Sequence, residues 1–107
     1  MNLRGTLPTL ILEVLERQPN HGYRIAQQIK QRSKGVLDFK EGTLYPALHK
    51  LENEGLIQSY EGRERGRARR YYRITREGHG ALRKSREEWW EKSAAVSMIL
   101  GGAPNAS

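Results

Sequence analysis

A mainly α fold, a winged helix-turn-helix of order ααα-ββ-α with a long last helix, is what three observations predict for this chain of 107 residues. Residues 41–55, EGTLYPALHKLENEG, carry the apolar spacing of a short amphipathic helix. Residues 56–75, LIQSYEGRERGRARRYYRIT, read as a hairpin crowded with arginine. The 19 Lys+Arg against 12 Asp+Glu leave a net charge of +7, which draws the chain toward a polyanion. Charge alone does not separate DNA from RNA or an anionic membrane surface.

The length suits one small core and no second independent one. Within it, residues 1–75 are expected to form the winged unit, residues 76–100 a C-terminal dimerisation helix of the same compact body, and residues 101–107 a disordered tail. The absence of cysteine excludes disulfides and thiolate metal sites and is compatible with a reducing cytosol. The apolar run TLPTLILEVLE is broken every few residues by Thr, Pro or Glu, unlike a signal peptide or a membrane span, so a soluble, cytoplasmic protein is expected.

The first helix is predicted over residues 6–17, where Leu7, Leu10, Ile11, Val14 and Leu15 fall at i, i+3, i+4, i+7 and i+8 and Pro19 ends the run. Asn20 is the expected N-cap of a second helix over 21–33, with Tyr23, Ile25, Ala26 and Ile29 as its apolar positions and Gly35 beyond its basic end. Residues 36–40 connect to the third helix, whose inner stripe is Leu44, Ala47, Leu48 and Leu51 and whose stop is Gly55. Because proline cannot donate, Pro46 is expected in the first turn, with Thr43 as N-cap.

Strands are predicted over 56–60 and 70–74, with GRERGRAR as the turn and tip. The period of two directs Tyr72 and Ile74 inward, Tyr71 and Arg73 outward. Thr75 caps a last helix over 76–100, in which Leu82, Trp89 and Val96 recur every seven residues, with Ser85 or Arg86 and Ser93 between.

Helices two and three form the helix-turn-helix, and the N-terminal half of the third enters the major groove. With the inner stripe assigned, Thr43, Tyr45, His49 and Lys50 face outward, and Lys40 stands just before the helix; ordinary solvated positions would look the same. Arg63, Arg65, Arg67, Arg69, Arg70 and Arg73 face one acid, Glu64, within residues 63–73. In an extended chain Arg63, Arg65, Arg67 and Arg69 line one edge, where guanidinium groups grip phosphates or probe a minor groove. A solvated basic loop is the alternative.

His21, His49 and His79 lack the spacing of a metal site, and no catalytic arrangement is legible, so neither a metal, a cofactor nor an enzyme is expected. Two tryptophans are hard to hide in so small a core, so Leu82, Trp89, Trp90 and Val96 are read as a dimer interface. Packing on the first helix of the same chain is the alternative. Adjacent tryptophans diverge on a helix, so Trp89 and Trp90 also outline a pocket for a small aromatic effector.

LPTLILEVL, HGYRIAQQI, EGTLYPALHKLENEGLI and RRYYRIT, in this order over about residues 3–100, resemble the PadR family of transcriptional regulators, of the short subfamily with one C-terminal helix. The resemblance implies a homodimeric winged-helix repressor of double-stranded DNA. It places Gly42, Thr43, Leu44 and Tyr45 at the start of the recognition helix, His49 and Lys50 further along it, and Tyr23 near the DNA backbone. The family often has proline in the wing where this chain has Gly66, Arg67, Ala68 and Arg69. Two other readings remain at this stage: an RNA-binding winged module, and a protein-interaction scaffold whose basic flap meets an acidic partner.

Overall fold

In the computed structural model, which describes residues 3–101 and their side chains from residue 6 onward, helix α1 (Leu3–Arg17) lies in the middle of the molecule. It packs against all three other helices, α2 (Gly22–Arg32), α3 (Glu41–Asn53) and α4 (Arg76–Leu100), and against strand β3 (Arg67–Ile74). A helix with neighbours on so many sides buries more than one stripe, which is why Leu12 joins Leu7, Ile11, Val14 and Leu15 in the core while Leu10 sits at its margin.

Asn20 caps nothing. With His21 it forms a two-residue strand, β1, paired antiparallel to β3 through Asn20 with Tyr72 and His21 with Tyr71. The sheet is therefore three-stranded, in the order β1-β3-β2, with β2 spanning Ile57–Glu64. The cap of α2 is His21, whose ring nitrogen accepts from the Arg24 amide at 3.4 Å. Tyr23 points outward, 64% exposed, so the inner face of α2 consists of Ile25 and Ile29 with Ala26 beside them.

Helix α3 begins two residues before Thr43. Lys40 is its N-cap in an extended conformation, and the Lys40 carbonyl accepts from both Thr43 and Leu44 amides, at 3.0 and 2.9 Å. The turn closes on backbone alone, with Glu41 at the positive end of the helix dipole. Pro46 consequently lies past the first turn, on the exposed side, where the missing amide bond is least costly.

The strands extend well beyond the predicted pairs. Ile57 to Ile74 and Glu64 to Arg67 are in register, leaving only Arg65 and Gly66 as the turn. Both have positive φ, 51° and 80°, the backbone of a two-residue hairpin turn whose twist matches the strands. Tyr72 is buried and Arg73 exposed, as alternation requires, with Ile74 and Tyr71 half-buried on opposite faces.

Thr75 caps α4, accepting from the Gly78 amide at 3.0 Å, and Gly101 ends it in the left-handed region at φ 97°. Gly101 is thus an ordered cap; the rest of the expected tail, 102–107, lies outside the described residues. Leu82, expected at a dimer interface, is 0% exposed within this one chain, where it closes the core. Arg86 adds a polar tie, donating from Nε to Glu13 at 3.0 Å and from Nη2 to Glu16 at 2.7 Å. Past that point Trp90, Val96, Met98, Ile99 and Leu100 remain exposed.

Candidate nucleic-acid interface

The core fixes which side of α3 is free. Leu44, Leu48 and Leu51 are inside, so Gly42, Pro46, His49 and Lys50 face out and Thr43 is half-buried between the two sides. Leu44, at 1% exposure, is withdrawn from the groove-facing set: its side chain anchors the helix from below. Tyr45 is only half outward. Its ring lies over Gly22, where an added Cβ would be 2.7 Å from the Tyr45 hydroxyl, so glycine in HGY lets α2 and α3 approach closely.

Tyr23, Lys40, Gly42, Tyr45 and Arg69 converge on one cleft of about 830 Å³ between α2, the start of α3 and the wing. A smaller cleft of about 350 Å³ beside it adds His49, Arg70 and His21. Lys40 is not wholly free, because Asp38 lies 3.5 Å from its ammonium and 3.5 Å from that of Lys30. Desolvation works to raise the Asp38 pKa, but these two cations outweigh it and hold the carboxyl below its usual range.

The wing arginines do not form one row. Because the chain reverses at Arg65 and Gly66, Arg63 pairs with Ala68 and shares a face with Arg70, whereas Arg67, Arg69 and Arg73 lie on the other face. Their partners differ too. Arg63 donates to the Gly66 carbonyl at 3.0 Å and braces the tip; Arg70 donates to Ser59 at 3.0 Å and stands 3.6 Å from Glu52 of α3. Arg73 binds Gln58 at 3.0 Å and lies over the Tyr60 ring at 5.7 Å. Among the described residues, the side chains of Arg65 and Arg67 have no hydrogen-bond or ion-pair partner.

Sequence reading missed a cluster at the junction of wing and α2. Glu64 meets His21 Nε2 at 3.1 Å, Arg24 Nη2 at 3.2 Å and Arg69 Nε at 3.8 Å. Desolvation pushes the Glu64 pKa up, yet the neighbouring His21 ring and the Arg24 guanidinium prevail and hold it below the ordinary value. The signal available was the lone acid among six arginines, but its partners outside the wing, Arg24 and His21, are 40 and 43 residues away.

At the other end of the molecule, Trp89 and Trp90 border a cleft of about 560 Å³ between α1 and α4, with Thr6, Leu10, Glu13 and Leu37. No group of three or more His, Cys, Asp or Glu among the described residues could hold a metal ion, and no helix there is long and apolar enough to cross a membrane.

A helix-turn-helix whose third helix shows a polar outer face beside a basic two-stranded wing defines a winged-helix transcriptional regulator. The transcriptional regulator PadR-like family matches residues 11–84, and the chain belongs to that family. It is 40% identical over 82 residues to the transcriptional regulator Rv3488 of Mycobacterium tuberculosis, covering 77% of this chain and 71% of that protein. Its fold is similar to a transcriptional regulator from Clostridium thermocellum, with a TM-score of 0.83 and 36% identity over 90% of this chain and 91% of that one. A PadR family transcription regulator from Clostridium difficile gives a TM-score of 0.80 at 35% identity, covering 90% and 99% respectively.

Proposed function

We propose that this regulator is a cytoplasmic, dimeric repressor, without catalytic activity or cofactor, that occupies a roughly palindromic operator. The observation that carries the reading is the pair of unpartnered side-chain cations at the wing tip, Arg65 and Arg67, together with the exposed His49 and Lys50 of α3. The wing grips phosphates and supplies affinity and register; α3 reads base edges and supplies selectivity. Residues 1–75 are the reader. The exposed apolar surface of α4 from Trp89 to Leu100 supports a second copy joining there, with Trp89, Trp90 and Val96 in the interface.

Titration against the DNA upstream of its own gene should give saturable binding that falls by about 0.9 in log K per log salt for each phosphate contact. Arg67→Ala should weaken all duplexes alike and reduce that slope by about one, whereas His49→Ala should narrow the gap between operator and scrambled DNA. Equal binding to both duplexes at every salt would contradict the proposal. Dimerisation is tested by Val96→Glu, expected to give monomer by light scattering.

A second reading adds a small aromatic effector that relieves repression, supported by the apolar cleft at Trp89 and Trp90. Tryptophan fluorescence during titration with aromatic compounds tests it; no quenching by any of them counts against it.

A further inference from the structure

Beyond its base the wing is tied to the body by two side chains: Arg70, 3.6 Å from Glu52 of α3, and, nearer the tip, Glu64. Strand pairing with β1 stops at Tyr71, and a hairpin of two strands is only marginally ordered by itself. Glu64 is the last residue of β2, one step before the turn. Its carboxylate reaches back across the junction to His21 and Arg24, at 3.1 and 3.2 Å. Among the described residues, all side-chain hydrogen bonds from residues 61–69 to β1 and α2 end on Glu64.

Those partners are themselves fixed. His21 is 4% exposed, paired to Tyr71 and edge-on to its ring at 5.5 Å, and its other ring nitrogen caps α2. With that nitrogen accepting from the Arg24 amide, the neutral ring carries its hydrogen on Nε2 and donates it to Glu64. Arg24 belongs to the first turn of α2, which packs against α3 through the core. A line of contacts therefore runs from the wing tip through Glu64 to the helix pair.

A carboxylate at the tip of a basic hairpin also repels a polyanion, so its charge lowers affinity for any duplex. We infer that Glu64 is a positioning residue that sets the angle of the wing against α3, exchanging some affinity for operator selectivity. The inference rests on the DNA reading proposed above. Arg67 and the outer face of α3 then meet one half-site in fixed relation, and a mispositioned wing costs base contacts made by the helix.

Three variants test it against operator and scrambled duplexes at fixed salt. Glu64→Gln should bind scrambled DNA a few-fold more tightly, while its operator-over-scrambled ratio falls about fivefold or more, the discrimination carried by one good base contact. Glu61→Gln removes the same charge from the same strand and should raise both affinities without changing the ratio. Glu64→Asp keeps the charge but shortens the reach, so its ratio should fall with no gain on scrambled DNA. Amide exchange of residues 62–69 in the free protein should quicken in both Glu64 variants. If Glu64→Gln behaves like Glu61→Gln and wing exchange is unchanged, the positioning role is overturned. If wild type itself shows no preference for operator, the DNA reading fails instead.

Discussion

Gly78 and Gly80 lie two residues apart in α4, yet the same substitution is expected to have opposite effects on them. At Gly78, an added Cβ would sit 2.1 Å from the Leu56 carbonyl oxygen and 2.6 Å from the Ile74 side chain. The first is backbone and cannot rotate away, so helix and strand must separate by about 1 Å to restore contact distance. That movement strains the Thr75 amide's bond to the same Leu56 carbonyl, 3.1 Å, and the Thr75 hydroxyl's bond to the Gly55 carbonyl, 2.7 Å. Overpacking of this kind costs about 1–3 kcal/mol, and weakening a helix cap about 1 kcal/mol more. Alanine returns about 1 kcal/mol of helix propensity, leaving Gly78→Ala less stable by about 2 kcal/mol. At Gly80 a Cβ meets nothing within 4 Å, so only the propensity gain applies and Gly80→Ala should be about 1 kcal/mol more stable. Thermal unfolding by circular dichroism, at one fixed protomer concentration, should show Tm lowered by about 8–16 °C in the first and raised by about 4–8 °C in the second. Equal shifts of the same sign would refute the claim that α4 is wedged against the backbone at the foot of the wing.

Arg65→Asn replaces a side chain disfavoured at φ 51° by one that tolerates it; stability should rise by about 0.5–1 kcal/mol while DNA affinity falls with the lost cation, measured by urea unfolding and fluorescence anisotropy. Gly42→Ala adds a methyl to open space at the start of α3, so Tm should rise slightly, but any duplex whose phosphate approaches that backbone should bind about tenfold or more weakly. The Arg86 hydrogen bond, against opposing desolvation, holds Glu16 below its ordinary value of 4.5. A depressed folded pKa gives stability that is present above 4.5 and lost as pH falls through the lower folded value, so Arg86→Gln should flatten the acid limb of a stability-versus-pH curve.

The helices were legible because their apolar spacing is local: Leu7 to Leu15 and Leu44 to Leu51 identify themselves without reference to the rest of the chain. Thr75 as a cap was equally local. Asn20 and His21 were not, because two residues carry no alternation and their strand exists only by virtue of Tyr71 and Tyr72. The hairpin was read too short because arginine is neither a strong strand signal nor a turn signal; pairing and twist decided the matter, and they broke the supposed row of four arginines at Arg65. Leu82 shows the same limit in the core. Its seven-residue spacing from Trp89 suggested a shared interface, but proximity to α1 assigned the two residues to different surroundings. The outer face of α3 was read by subtracting its inner stripe, and His49 and Lys50 are exposed; the wing arginines were read from density and alternation, which carry no information on the partners of Arg63 and Arg70.

Leu82 and Arg86 seal a core begun by the first helix, and the Arg86 bond to Glu13 spans 73 residues of sequence. As the chain is synthesised, α3 emerges well before the residues that close the core around it. Until α4 arrives, the side of α1 that packs against it lacks its cover, so the chain up to Thr75 is expected to be less stable than the whole. A nascent or truncated chain ending at the wing would therefore carry the arginines above an open core, and order at the wing comes to depend on the last helix.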